Sequence, residues 1–197
     1  IGLSATVGDP QAVADFLVGP RRKVDVRKHD THRDFDIRVE SPKPTEDAKL
    51  IDRLQGDPDI IGVMTRAREI IESGRSTLFF VNTRETAEWL AARYHLWDET
   101  FPIEGHHGAL SKETRMEMED RFKSGDIKAL VCTSSLELGI DVGTTDMVIQ
   151  YNSPRQVSRM IQRAGRAGHR VGEKIRARVL ATAPDEVAEA MVIARRC

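Results

Sequence analysis

The chain reads as an α/β protein with a mostly parallel sheet flanked by helices on both sides. From Asp59 onward, strand-like apolar runs alternate with amphipathic helical stretches at the spacing of parallel crossovers. The runs Thr77–Val81 and Ile127–Cys132 are close to continuously apolar, as strands covered on both faces are. A hydrophobic content of 40 % over 197 residues is enough for one core of ordinary domain size.

The elements follow in order. Ile1 to Thr6 resembles the tail of a strand entering a loop. Asp9-Pro10 offers an N-cap and a first-turn proline for a helix to about Leu17, which Gly19-Pro20 stops. Phe35, Ile37 and Val39 alternate with polar neighbours and predict a half-buried strand, and Glu40–Thr45, with Pro42 and Pro44, predicts a loop. Ile60, Ile61, Met64, Ala67 and Ile71 line one helical face ending near Gly74. Strand Thr77–Val81, helix Glu85–Tyr94 and strand Phe101–Glu104 come next. Ser111 caps a helix to Lys123, Gly125-Asp126 turns the chain into strand Ile127–Cys132, and Asp146–Gln150 is a further strand. Ser153-Pro154 begins another helix, Ile175–Ala181 is the last strand, and a helix runs from Pro184. Asp185 and Glu186 in its first turn and Arg195 and Arg196 at its end suit the helix dipole.

Composition narrows the function classes. Thirty Lys and Arg against 31 Asp and Glu give a formal charge of −1, so any contact with nucleic acid must come from local clustering. The two cysteines form no Cys-x-x-Cys pair, which argues against a zinc site or disulfide framework. Cys132, inside an apolar run and without a paired base, reads as an inert core thiol. No apolar run approaches the roughly 20 residues of a membrane span. With no leader visible, a soluble cytoplasmic protein is expected, and the missing initiator methionine suggests a piece of a longer chain.

In parallel sheets the working loops lie at the carboxyl ends of the strands. Asn82-Thr83-Arg84 presents an amide, a hydroxyl and a guanidinium beside a helix N-terminus, a mixture suited to phosphate backbones. Thr83 can equally serve as that helix's cap. Gly105-His106-His107-Gly108 follows the next strand; an adjacent histidine pair lacks the spacing of zinc ligands, so no metal site is expected. Thr133 and Ser134 follow an apolar strand, where small hydroxyls can approach a phosphate closely. Gly139-Ile140-Asp141 adds a turn and a carboxylate, which can either accept from ribose hydroxyls or cap its own loop. Ile161 to Arg170 sets Arg163, Arg166 and Arg170 among Gly165 and Gly168, and guanidinium groups fork onto phosphate oxygens.

Taken together these segments resemble the motifs of superfamily 2 helicases. Ser4-Ala5-Thr6 is similar to motif III, Phe80–Arg84 to motif IV, and His107–Ser111 to the adjoining motif that faces the translocating strand. Thr133–Asp141 is similar to motif V and Gln162–His169 to motif VI. Within that superfamily, Cys132–Asp141, Ser153–Val157 and Gln162–Gly172 resemble the large helicase-related (Lhr) group. The resemblance runs from Ile1 to about Cys197.

It implies a RecA-like, P-loop-type fold in a motor of two such domains, hydrolysing ATP between them and moving 3′ to 5′. The track would be single-stranded DNA, with an RNA:DNA hybrid or RNA as other partners. Residues 1–19 would end the first RecA-like domain and residues 20–197 form the second. The phosphate-binding loop and the segment holding Mg2+ are absent from these residues, so the fragment alone is expected to be inactive. Further C-terminal domains of the same chain are implied as partners, and no membrane is. By the same resemblance Arg166 is the arginine finger, Gln162 senses the γ-phosphate and Arg163 supports that surface. Gly139 and Asp141 line the nucleotide side. Asn82, Thr83, Arg84, His107, Gly108, Thr133 and Ser134 follow the nucleic-acid backbone, and Ser4, Ala5 and Thr6 couple the domains. The family at large ends motif VI with a second arginine, where this chain has His169, a shorter and mostly neutral group near pH 7. A non-catalytic RecA-like binding module would keep the fold without needing Arg163 and Arg166. A dinucleotide-binding enzyme would need Gly-x-Gly-x-x-Gly after its first strand, and Gly165 and Gly168 follow a helix instead.

Overall fold

A computed structural model describes residues 9–19, 22–27, 34–137, 143, 145–168 and 174–197. The chain divides into two compact units, Ile1–Arg33 and Asp34–Cys197. In the first unit, helix α1 (Pro10–Val18) starts where expected: the Asp9 carboxylate accepts from the amides of Gln11 and Ala12, and Pro10 takes the first turn. Gly19 leaves the helix at φ 84°, a left-handed value that suits glycine. Ala14 is buried, whereas Phe16 and Leu17 are exposed. The expected strand tail at Ile1–Thr6 lies outside the described residues.

In the second unit six strands form one parallel sheet, in the order β1-β6-β5-β2-β4-β3. These are β1 (Phe35–Glu40), β2 (Thr77–Phe80), β3 (Ile103–His106), β4 (Ala129–Cys132), β5 (Met147–Tyr151) and β6 (Ile175–Leu180). The helices are α2 (Ala48–Leu54), α3 (Pro58–Ser73), α4 (Arg84–Trp97), α5 (Lys112–Ser124), α6 (Val157–Ala164) and α7 (Pro184–Ala194). Side chains alternate across the central strands. Phe79 and Val81 point into a core with α2, α3 and α4, whose Leu54, Met64 and Leu90 are fully buried. Leu78 and Phe80 point into a second core with α5, α6 and α7, through Phe122, Met160 and Ile193. Two apolar faces on one sheet are the reason its middle strands read as continuous runs.

β2 pairs with both β4 and β5, so the chain crosses over β2 between those two strands. Loops leaving the carboxyl ends of β2, β4 and β5 are thereby gathered at a point where strand order reverses.

Three local readings need correction. The strand expected at Phe101–Glu104 lies at Ile103–His106, because pairing begins at Ile103 opposite Ala129 while Phe101 packs on Tyr94. Gly105 is consequently a strand residue: a Cβ there would sit 3.3 Å from Ala91 Cβ on α4, so glycine permits the close approach of helix to sheet. The helix expected from Ser153-Pro154 starts at Val157, since Asn152 and Arg155 take left-handed φ values of 58° and 67°. α2 also has no counterpart among the expected elements; Asp47 caps it by accepting from Lys49 and Leu50 amides.

Candidate nucleic-acid and nucleotide interface

The β2–α4 junction carries the first group. Asn82 donates from Nδ2 to the Ser153 carbonyl at 2.9 Å and accepts through Oδ1 from Arg163 at 3.2 Å. Its amide thus ties the loop after β2 to the loop after β5 and to α6. Thr83 caps α4, with Oγ1 accepting from the Thr86 amide at 3.2 Å. Arg84 is more than half exposed and pairs with Glu88 one turn on at 2.9 Å. The same Glu88 oxygen lies 3.1 Å from Nε2 of His107, a nearly buried ring whose Nδ1 has no hydrogen-bond partner. Gly108 is exposed, with open space where a side chain would be.

The loop after β4 is a short 3-10 turn, Ser134–Leu136, preceded by Thr133. The Thr133 hydroxyl does not cap that turn, while its amide donates to the His106 carbonyl at 3.4 Å. Thr133 is half-buried and Ser134 exposed. Beneath them His106 is fully buried, with Nδ1 3.0 Å from Ser135 Oγ and Nε2 3.1 Å from Glu119 Oε1. Burial holds its pKa below the usual imidazole value, against the opposing pull of Glu119. The sequence weighs His106 only as half of an adjacent histidine pair and gives Ser135 no role of its own, because such a pair gives no sign of which ring faces inward. Cys132 is fully buried and burial pushes its thiol up, as suits an inert core residue.

The arginines of α6 and the turn after it have separate placements. Arg163 is 1 % exposed. Its Nε and Nη2 reach Glu137 Oε1 at 2.7 and 2.5 Å, its Nη1 reaches Asn82 and Gln150, and its guanidinium lies 5.2 Å from the Phe80 ring centroid. The sequence reading has Arg163 support the surface that Arg166 presents; in the structure it is buried at the junction of β2, β5 and α6. Arg166 is half-buried, and its Nε and Nη2 donate to the Glu137 backbone carbonyl at 3.2 and 2.6 Å. Gln162 is likewise half-buried on α6. Glu137 was missed as a site residue; a single acid inside an apolar-hydroxyl motif carries no signal of the arginines that converge on it. The candidates Gly139, Asp141, Ser4, Ala5, Thr6 and His169 lie outside the described residues. So one edge of the sheet brings Asn82, Thr83 and Arg84 together with His107, Thr133, Ser134 and, through Glu137, Arg163 and Arg166. No helix among the described residues is long and apolar enough to cross a membrane.

Comparisons with known proteins identify the family and the fold. Residues 62–171 match the helicase conserved C-terminal domain family. An ATP-dependent helicase Lhr-Core of Saccharolobus solfataricus is 37 % identical over 201 residues, covering 99 % of this chain and 22 % of that protein. The chain thus spans about a fifth of the length of the curated relatives it matches. Among solved structures, Mycobacterium smegmatis helicase Lhr bound to ssDNA and AMP-PNP superposes with a TM-score of 0.85 at 36 % identity, over 99 % of this chain and 25 % of that one. Saccharomyces cerevisiae Dbp5, bound to RNA and ADP BeF3, shares the fold with a TM-score of 0.70 at 23 % identity, over 98 % of this chain and 47 % of that one. The chain belongs to the helicase conserved C-terminal domain family, as a second RecA-like domain of the superfamily 2 kind that resembles the Lhr helicases.

Proposed function

We propose that this chain is the second motor domain of an ATP-dependent 3′-to-5′ helicase or translocase, with single-stranded DNA as its track. It would supply the arginine finger, half of the ATP site and part of the strand-binding surface. The observation that carries this reading is the joining of the two half-sites through Glu137. The turn bearing Thr133 and Ser134 ends on the carbonyl that receives Arg166.

Arg166 suits the finger because its charge would meet charge that grows on the transferring phosphoryl group. A guanidinium and the Gln162 amide at the end of α6 form a donor set that fits a triphosphate, and Gly139 and Asp141 would line the nucleotide side. Bound ATP supplies the phosphoryl group and its free energy; Mg2+ is assigned to the preceding domain, whose end residues 1–19, with Ser4, Ala5 and Thr6 as coupling residues, would form. Arg163 would act from within, keeping Asn82, Gln150 and Glu137 in register under that surface.

Along the track, Asn82, Thr83, Arg84, His107, Gly108, Thr133 and Ser134 would receive backbone phosphates. The Lhr structure with ssDNA supports DNA over RNA or an RNA:DNA hybrid as the strand. Likeness to the RNA-bound Dbp5 is at an identity that speaks for the fold alone. The test is steady-state ATP hydrolysis by the full-length parent with single-stranded DNA, single-stranded RNA and duplex competitors. Stimulation by single-stranded DNA, and by RNA less, is expected; stimulation by none of the three would overturn the motor reading.

A further inference from the structure

α4 lies close against β3 because small residues meet at the contact. A Cβ on Gly105 would sit 3.3 Å from Ala91 Cβ and 3.7 Å from the Ala87 carbonyl oxygen. Glu88, next to Ala87 on the helix, is thereby brought to the loop that leaves β3. Its Oε1 lies 2.9 Å from Arg84 Nε and 3.1 Å from His107 Nε2. One carboxylate oxygen therefore joins the first turn of α4 to the loop after β3. Among the described residues it is the only acid in ion-pair contact with either partner. Arg84 and Glu88 are about half exposed, whereas the His107 ring is nearly buried and its Nδ1 has no hydrogen-bond partner. That ring is held through Nε2 alone.

We propose that Glu88 is a positioning residue of the strand track, whose carboxylate holds the place of a backbone phosphate between Arg84 and His107 and so limits how tightly a strand is gripped. The inference rests on the reading of Arg84 and His107 as strand contacts. Carboxylate and phosphate oxygens are anionic acceptors of the same kind, and both draw the N–H groups of a guanidinium. A phosphate reaching Arg84 must share or replace the Glu88 oxygen, and it does so against the repulsion of a second negative charge. Between contacts the same oxygen keeps Arg84 in place and the His107 ring hydrogen-bonded. A half-exposed ion pair adds little to stability on its own. An acid that merely stiffened α4 through its i, i+4 neighbour would need no histidine from another loop.

The test is the affinity of the full-length parent for a single-stranded DNA oligonucleotide at low salt, or for an RNA of the same length where DNA is not bound. Variants are Glu88→Gln, Glu88→Ala, Arg84→Ala and the double variant of Arg84→Ala with Glu88→Gln, each with a thermal melt to establish folding. Glutamine keeps an oxygen acceptor for both neighbours and removes the charge. Glu88→Gln should therefore bind the strand about threefold tighter or more, the order expected for one exposed charge a few ångströms from a phosphate. In the Arg84→Ala background the same change should gain less than about 1.5-fold, because no guanidinium remains for the carboxylate to occupy. Glu88→Ala should bind more weakly than Glu88→Gln, since it leaves both nitrogens of the nearly buried His107 ring without a partner. No gain in folded Glu88→Gln, or an equal gain with and without Arg84, overturns the phosphate-like role. Equal affinity in Glu88→Ala and Glu88→Gln overturns the positioning role, whereas unchanged affinity in Arg84→Ala overturns the track reading on which both rest.

Discussion

Arg163 and Glu137 form a buried ion pair, Nε to Oε1 at 2.7 Å, that joins α6 to the turn after β4. The arginine's remaining donors go to Asn82 and Gln150, at the ends of β2 and β5. One guanidinium therefore closes the switch point of the sheet. Burial lowers its pKa against the opposing pull of Glu137, and an arginine so lowered stays charged.

Arg163→Ala should accordingly destabilise the chain by about 3–5 kcal/mol, because a carboxylate and two amide oxygens lose their donors in the interior. Changing Arg163 and Glu137 together to methionine should recover much of that loss, since no unpaired charge remains. Urea unfolding of both variants reads the difference. Equal loss in single and double variants would mean that the stability comes from packing of the arginine stem.

Arg166 is less deeply placed: it is half-buried, and two of its N–H groups donate to the Glu137 carbonyl. In the full-length parent Arg166→Ala should reduce ATP turnover by about 10³-fold with strand affinity largely kept, because the contact strengthens only as phosphoryl charge develops. Arg166→Lys should restore little, for an ammonium lacks the planar fork. Turnover and strand affinity measured side by side check this; a parallel loss of affinity would move Arg166 to the track.

On the track itself, Thr133→Val removes a hydroxyl that does not cap its own turn, and Arg84→Ala removes a cation shared with Glu88. Thr133→Val should weaken strand binding or its stimulation of turnover. Arg84→Ala should flatten the dependence of log affinity on log salt by about 0.7, the contribution of one released counterion on a single strand. Binding isotherms at several salt concentrations settle both, and unchanged slopes and affinities would take these residues off the proposed path.

Much of this architecture is legible in the sequence, and what escapes has a physical cause. Alternating side chains at Leu78, Phe79, Phe80 and Val81, the Ser111 cap and the left-handed Gly125 mark strand, helix start and helix stop by local rules. The loops that meet at the sheet edge follow from the parallel topology alone. α2 escapes because seven residues make a helix only when Leu54 is packed by tertiary neighbours. Gly105 resembles a loop glycine until Ala91 is seen against it. The burial of Arg163 depends on Asn82, 81 residues earlier, and no local pattern of charges encodes a partner at that distance.

His106 links these loops to solution pH. Its ring is fully buried between Ser135 and Glu119, and burial, with Arg115 adding repulsion, keeps its folded pKa below the unfolded value of about 6.5 despite the attraction of Glu119. A lowered folded pKa means that the unfolded chain takes up the proton first. The stabilisation is therefore fully present above about pH 6.5 and is lost as pH falls toward the lower folded value, by at most about 1.4 kcal/mol per pH unit. His106→Gln removes the titration while leaving an amide able to donate to Glu119 and accept from Ser135. Urea unfolding of both proteins from pH 8 to pH 5 should give a shallower acid-side loss in the variant, with the other histidines common to both and cancelling in the comparison. Superimposable slopes would show that His106 exchanges no proton on unfolding in this range, and that the turn bearing Thr133 and Ser134 is anchored independently of its charge.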